Sequence, residues 1–131
     1  MNDRSDQLIS GADQAIAAAQ RELGLHDFEV AAERACVAML RLAKACLDID
    51  GLSPGPTQAV CTEYGRQFGR SGRMYSAYFR WLLDAVDLRK AVHSDLTRSI
   101  DYDASATLVE RAEIFRDAVV RFVERGDKWA K

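Results

Sequence analysis

Apolar residues recur at steps of three and four along nearly the whole chain, a pattern that folds as amphipathic helices packed through their apolar faces. From Ser5 to Leu23 the repeating positions are Leu8, Ala12, Ile16, Ala19 and Leu23, a narrow, alanine-rich face that lets a neighbouring helix come close. Gly24 is the expected stop of this first helix. Asp27 is the expected cap of a second, running to about Leu47. Phe28, Ala31, Ala35, Ala38, Leu42 and Ala45 line one side of it, and Met39, Leu40, Cys46 and Leu47 widen the apolar surface past half the circumference. A helix so broadly apolar belongs at the centre of a bundle.

Both prolines fall in DGLSPGPT, residues 50–57, where glycine and proline break the chain. A short helix fits Thr57 to Phe68, with Val60, Tyr64 and Phe68 in line. GRSGR, residues 69–73, reads as a flexible basic turn. A fourth helix spans Met74 to about His93. After the polar linker SDLTRSIDYDAS, a fifth runs from about Ala106 to Arg125, with Ser105 as candidate cap. Its stripe is Leu108, Ala112, Phe115, Val119 and Phe122. There are no repeats, and two prolines with eight glycines supply too few turns for a sandwich or barrel. The expected fold is all-α, an up-and-down bundle of four or five helices. It forms one domain over residues 1–131, with a frayed tail from about residue 126.

The net charge of −2 gives no overall cationic field for polynucleotide, but charge is uneven. Residues 1–65 carry five basic and ten acidic groups, and residues 66–98 seven basic and three acidic. That excess of cations reads first as a solvated face, and otherwise as a phosphate-contacting patch. Cys36, Cys46 and Cys61 follow no metal spacing. Cys36 and Cys46 would lie about 15 Å apart along one helix, beyond disulfide reach. They read as buried apolar residues of a reducing compartment. MNDRSDQLIS lacks the pattern of a signal peptide and no apolar run suits a bilayer, so a cytoplasmic protein without membrane contact is expected. No motif calls for a metal or other cofactor.

The fourth helix carries the chemistry. At 100° per residue from Tyr78, Leu82 falls at about 40°, Ala85 at about −20°, Arg89 at about 20° and His93 at about 60°. Arg89 therefore leaves the helix through the middle of its apolar stripe. A guanidinium there needs a carboxylate, a phosphate or a wet cleft, because unpaired burial costs several kcal/mol. Tyr75, Tyr78, Phe79 and Trp81 track the helical period and read as core and subunit interface rather than as a base-stacking platform. His26, beside Asp27, reads as a loop residue, and Trp129 lies in the expected tail.

The segments ERACVAMLRLAKACL (33–47), GLSPGPT (51–57), YGRQF (64–68), LRKAVHS (88–94) and ERAEIF (110–115) stand in an order that resembles the HEPN superfamily, in its free-standing prokaryotic branch. Those proteins read approximately S-R-A-Y-Y-A-M-F-H-A-A-R-A-L-L, G-L-S-P-x-T-H, F-G-x-x-F and L-R-x-x-A-D-Y, and the resemblance covers about four fifths of the chain. It implies a helical bundle that dimerises. Many members cut RNA without metal through a paired R-x4–6-H motif at the dimer interface and are silenced by a nucleotidyltransferase partner. Others only bind or dimerise.

This chain departs from the pattern at its polar positions. The aromatic pair is replaced by Cys36 and Val37, the histidine of the second helix by Arg41, the histidine after G-L-S-P by Thr57, and the D-Y pair by His93 and Ser94. Three residues separate Arg89 from His93, one fewer than the nuclease motif. TRSIDY, 97–102, looks like a displaced R-x-x-A-D-Y and is taken as coincidence. The expectation is a diverged, dimeric binding or interaction component of a toxin–antitoxin or defence-like pair, with RNA or nucleotide as ligand and Arg41 and Arg89 as phosphate-binding candidates. The alternative is a working ribonuclease in which Arg89 holds the phosphate and His93 is acid or base, since residues at i and i+4 point one way. A third reading is a purely structural partner of a nucleotidyltransferase. As a nuclease the protein would bring Arg89 and His93 of two subunits to one open cleft. Otherwise Arg89 meets an acid or the dimer mate, and His93 ends the helix beside its last carbonyls.

Overall fold

A computed structural model of the chain describes residues 3–94 and 99–129. Five helices pack together: α1 (Asp3–Gly24), α2 (Phe28–Ile49), α3 (Thr57–Phe68), α4 (Ala77–Ser94) and α5 (Tyr102–Trp129). No strand occurs among the described residues. Helix α2 touches all four others, as its broad apolar surface requires, and its twelve buried side chains run from Ala31 to Leu47. Ala12, Ala15, Ile16 and Ala19 of α1 close against it. None of the helices among the described residues is long and apolar enough to cross a membrane.

Helix ends follow the local chemistry, sometimes at a residue other than the expected one. Gly24 is still helical. The left-handed residue after α1 is His26, at φ 62°. Asp27 N–H donates to Glu22 O at 2.9 Å and His26 N–H to Leu23 O at 3.1 Å, closing the last turn in a Schellman motif. Asp27 then caps α2, its carboxylate accepting from Val30 N–H at 3.3 Å. Helix α2 ends in the same motif, with Gly51 at φ 78° and Leu52 N–H and Gly51 N–H donating to Leu47 O and Asp48 O. The structure places α3 at the expected bounds, and Pro56 supplies an extended residue at its start.

Three boundaries differ from expectation. Helix α4 begins at Ala77, three residues after the expected Met74. Helix α5 begins at Tyr102, because Asp101 accepts from Ala104 N–H at 2.8 Å and takes the capping role assigned to Ser105. Ser105 lies inside the helix, fully buried, and donates to Phe28 O at 2.9 Å, tying α5 to the start of α2. The same helix continues to Trp129, so the expected frayed tail is helical as far as that residue. Ile100, in the TRSIDY segment, is buried; residues 97 and 98 of it lie outside the described residues.

An aromatic group packs where α3, α4 and α5 converge: Tyr64 stacks on Phe68 at 5.1 Å and meets Phe115 edge-on at 5.8 Å, and Tyr78 lies 5.3 Å from Phe115. Burying one such ring contributes about 1.5–3 kcal/mol. At Gly65 a Cβ would strike the ring of Phe79, so glycine sets how closely α3 and α4 approach. Tyr78 is buried and Tyr75 is 63% exposed, leaving one ring of that cluster open to solvent.

The basic turn is pinned. Arg73 makes a bidentate pair with Asp50 at 2.9 Å on both arms, and its guanidinium lies 4.4 Å over the Phe68 ring. A second two-armed pair, Arg116 with Asp13, clasps α5 to α1.

Candidate functional site

Arg89 has found a carboxylate. Glu33 of α2 sets one oxygen, Oε2, 3.0 Å from Arg89 Nε and 3.3 Å from His93 Nε2. The helical period explains the meeting. Arg89 and His93 are one turn apart on α4, and Glu33 stands at the edge of the apolar face of α2, three residues before buried Cys36 and seven before Leu40. Among the described residues, Glu33 Oε2 is enclosed and accepts no well-angled hydrogen bond. Charge, rather than hydrogen-bond geometry, holds Arg89 to Glu33.

The cluster lies under a shallow recess lined by Glu29, Ala32, Glu33, Ala85, Arg89, Val92, His93, Ile100 and Leu108. Its volume, about 10 Å³, holds roughly one water molecule and no nucleotide. Side-chain exposure is 31% for Arg89, 29% for Glu33 and 59% for His93. The arginine and the acid are thus partly covered at the helix interface, and the histidine is the outer member.

Beneath them, Cys36 adjoins the cluster. Burial pushes its thiol up to about 11, and the hydrogen-bonding, positively charged Arg89 offsets part of that rise without reversing it. Desolvation outweighs the nearby cation, so Cys36 carries its proton at neutral pH and offers no nucleophile. Burial also raises the thiols of Cys46 and Cys61, and all three cysteines are free. No group of three metal-ligating side chains occurs among the described residues.

Arg41 lines a different recess, between α1 and α2, with Arg4, Gln7, Leu8, Gly11 and Gln14. This open groove has a volume of about 310 Å³. The guanidinium lies across Gly11, with Nη1 donating to Gly11 O at 2.9 Å. The two arginines expected to bind phosphate therefore serve separate surfaces.

The sequence points to Arg89 and His93 and asks a carboxylate, a phosphate or a wet cleft of the former, but it does not single out Glu33. The signal was present: Glu33, Cys36 and Leu40 follow steps of three and four, placing a carboxylate on the border that α2 offers to a neighbour. His26 is exposed in its loop, its ring 5.6 Å from that of Phe28. No family model matches the chain, and no curated protein matches its sequence.

Proposed function

We propose that the chain is a diverged HEPN-like module that works by binding rather than by cutting. In this reading it is a homodimeric component of a toxin–antitoxin or defence-like pair, with RNA or nucleotide as ligand and a nucleotidyltransferase-like protein as partner. The observation that carries the non-catalytic part is the single Glu33 oxygen lying against both Arg89 and His93.

Metal-independent RNA cleavage asks a cation to face the phosphate and an imidazole to move a proton. Glu33 stands where the phosphate would. A carboxylate and a phosphate held about 4 Å apart near a protein surface repel by roughly 4 kcal/mol, more than the roughly 1.5–3 kcal/mol that one charged hydrogen bond returns. The shallow recess and the shortened Arg89–His93 spacing support the same conclusion. HEPN membership rests on the order of the sequence segments and on an all-helical fold.

The test is incubation of a labelled oligoribonucleotide with purified wild type and Arg89→Ala, following both retention and length. This reading expects retained, uncut RNA with both proteins. Cleavage by wild type that disappears in Arg89→Ala would establish the ribonuclease alternative, with Arg89 on the phosphate and His93 as acid or base.

A further inference from the structure

We propose that the groove between α1 and α2 is a binding site for a small phosphate-bearing ligand of the nucleoside mono- or diphosphate class, held by Arg41 and Arg4. The inference rests on the binding reading for its biological use; its chemistry stands on the groove alone.

Arg4, Gln7, Gly11 and Gln14 follow one another at steps of three, four and three, so they form a single stripe along α1. Arg41 reaches that stripe from α2. The lining offers two guanidiniums and two carboxamides, and no carboxylate is among its side chains. Unlike at the Glu33 cluster, no acid lines the recess itself, and Arg41 rests on a backbone carbonyl. Arg4 pairs through its guanidinium Nε with Asp48 at 3.4 Å, an acid outside the groove lining. Asp48 also accepts from Ser5 Oγ at 3.0 Å, which holds the acid beside the opening.

Gly11 makes the arrangement specific. A Cβ there would lie 3.3 Å from both Cδ and Nη1 of Arg41, so the missing side chain lets the guanidinium rest on the α1 backbone. The bond to Gly11 O fixes its position and uses one of five N–H donors. A guanidinium held in place offers a planar fork suited to phosphate oxygens. The volume of about 310 Å³ falls at the lower end of the range for small-ligand sites and accommodates more than a lone anion. Gln7, Gln14 and the apolar flank of Leu8 would meet the remainder of the ligand.

Inorganic diphosphate and AMP are the probes, titrated at low and moderate salt with thermal unfolding and calorimetry as readouts. Saturable binding is expected with wild type, weakening as salt rises. Arg41→Gln should weaken it at least tenfold, and Arg4→Gln severalfold. Arg121→Gln, on the exposed side of α5, should leave it unchanged. Gly11→Ala separates site from scaffold: alanine favours the helix, so unliganded stability should hold or rise while affinity falls severalfold. Absence of saturable binding by wild type, or equal affinity in the Arg41→Gln and Arg4→Gln proteins, would overturn the site. An uncut RNA result with either outcome leaves the non-catalytic reading in place, and cleavage dependent on Arg89 removes that reading without touching the groove.

Discussion

Arg89 and Glu33 meet at 3.0 Å across the α2–α4 contact, each about 30% exposed, with His93 sharing the same carboxylate oxygen from outside. The pair satisfies a charge that the helical pattern forces into an apolar seam. Breaking it from one side should cost more than removing it whole. Glu33→Ala strands a partly covered guanidinium and should destabilise by about 1–2 kcal/mol, whereas Arg89→Met with Glu33→Met should come within about 1 kcal/mol of wild type. Denaturant unfolding of the single and double variants reads the difference. Equal losses for single and double replacement would mean the pair is a solvated surface contact.

The buried thiols set an alkaline limit on stability. Folding raises the Cys36 thiol from its ordinary value near 9 to about 11. Between those values the unfolded chain has lost the proton that the folded chain still holds, so stability is complete below about pH 9 and falls as pH climbs toward 11. The slope is roughly 1.4 kcal/mol per pH unit for one such group. Cys46 and Cys61 move in the same direction. Melting curves from pH 8 to 11 should show the decline, and Cys36→Ala should lessen its slope from a lower starting stability. At pH 8 a disulfide reagent should modify none of the three thiols on the folding-competent timescale and all three in denaturant.

Tyr64 is fully buried in the aromatic core, and its hydroxyl has no hydrogen-bond partner among the described residues. An unsatisfied buried hydroxyl costs about 1–3 kcal/mol. Tyr64→Phe keeps the stacking on Phe68 and removes that cost, so its melting temperature should rise. A fall would show that the hydroxyl has an ordered water partner.

His26 holds a left-handed conformation at the end of α1, a backbone state that side chains resist by about 1–2 kcal/mol. His26→Gly should be neutral or stabilising by up to about 1 kcal/mol, offset in part by the lost contact with Phe28. His26→Val should destabilise, because a branched Cβ aggravates the strain. Thermal unfolding of both variants checks the sign.

Most of the fold could be read from the chain because period and punctuation agree at each element. The central place of α2 follows from its apolar breadth, and α3 from the break before Thr57 and the glycine after Phe68. Boundaries failed where two residues of equal aptitude compete. Asp101 and Ser105 are both good caps four residues apart, and tertiary packing draws Ser105 under α2 to reach Phe28 O. At the end of α1 the better left-handed residue, Gly24, stays helical, and the chain turns only after His26. That Arg89 must meet an anion or a wet cleft was legible from its angle on the helix. Which anion was not, because the identity of a partner depends on the rotation of α2 against α4. Arg41 was singled out by its place in the resemblance, but its groove depends on Gly11 thirty residues earlier, a proximity that no local pattern announces.

The central claim is that Glu33 leaves Arg89 and His93 balanced and idle. Its most direct test is RNA integrity after prolonged incubation with homogeneous wild-type protein, with Arg89→Ala alongside. The account predicts full-length RNA in both tubes; fragments in the wild-type tube alone would contradict it.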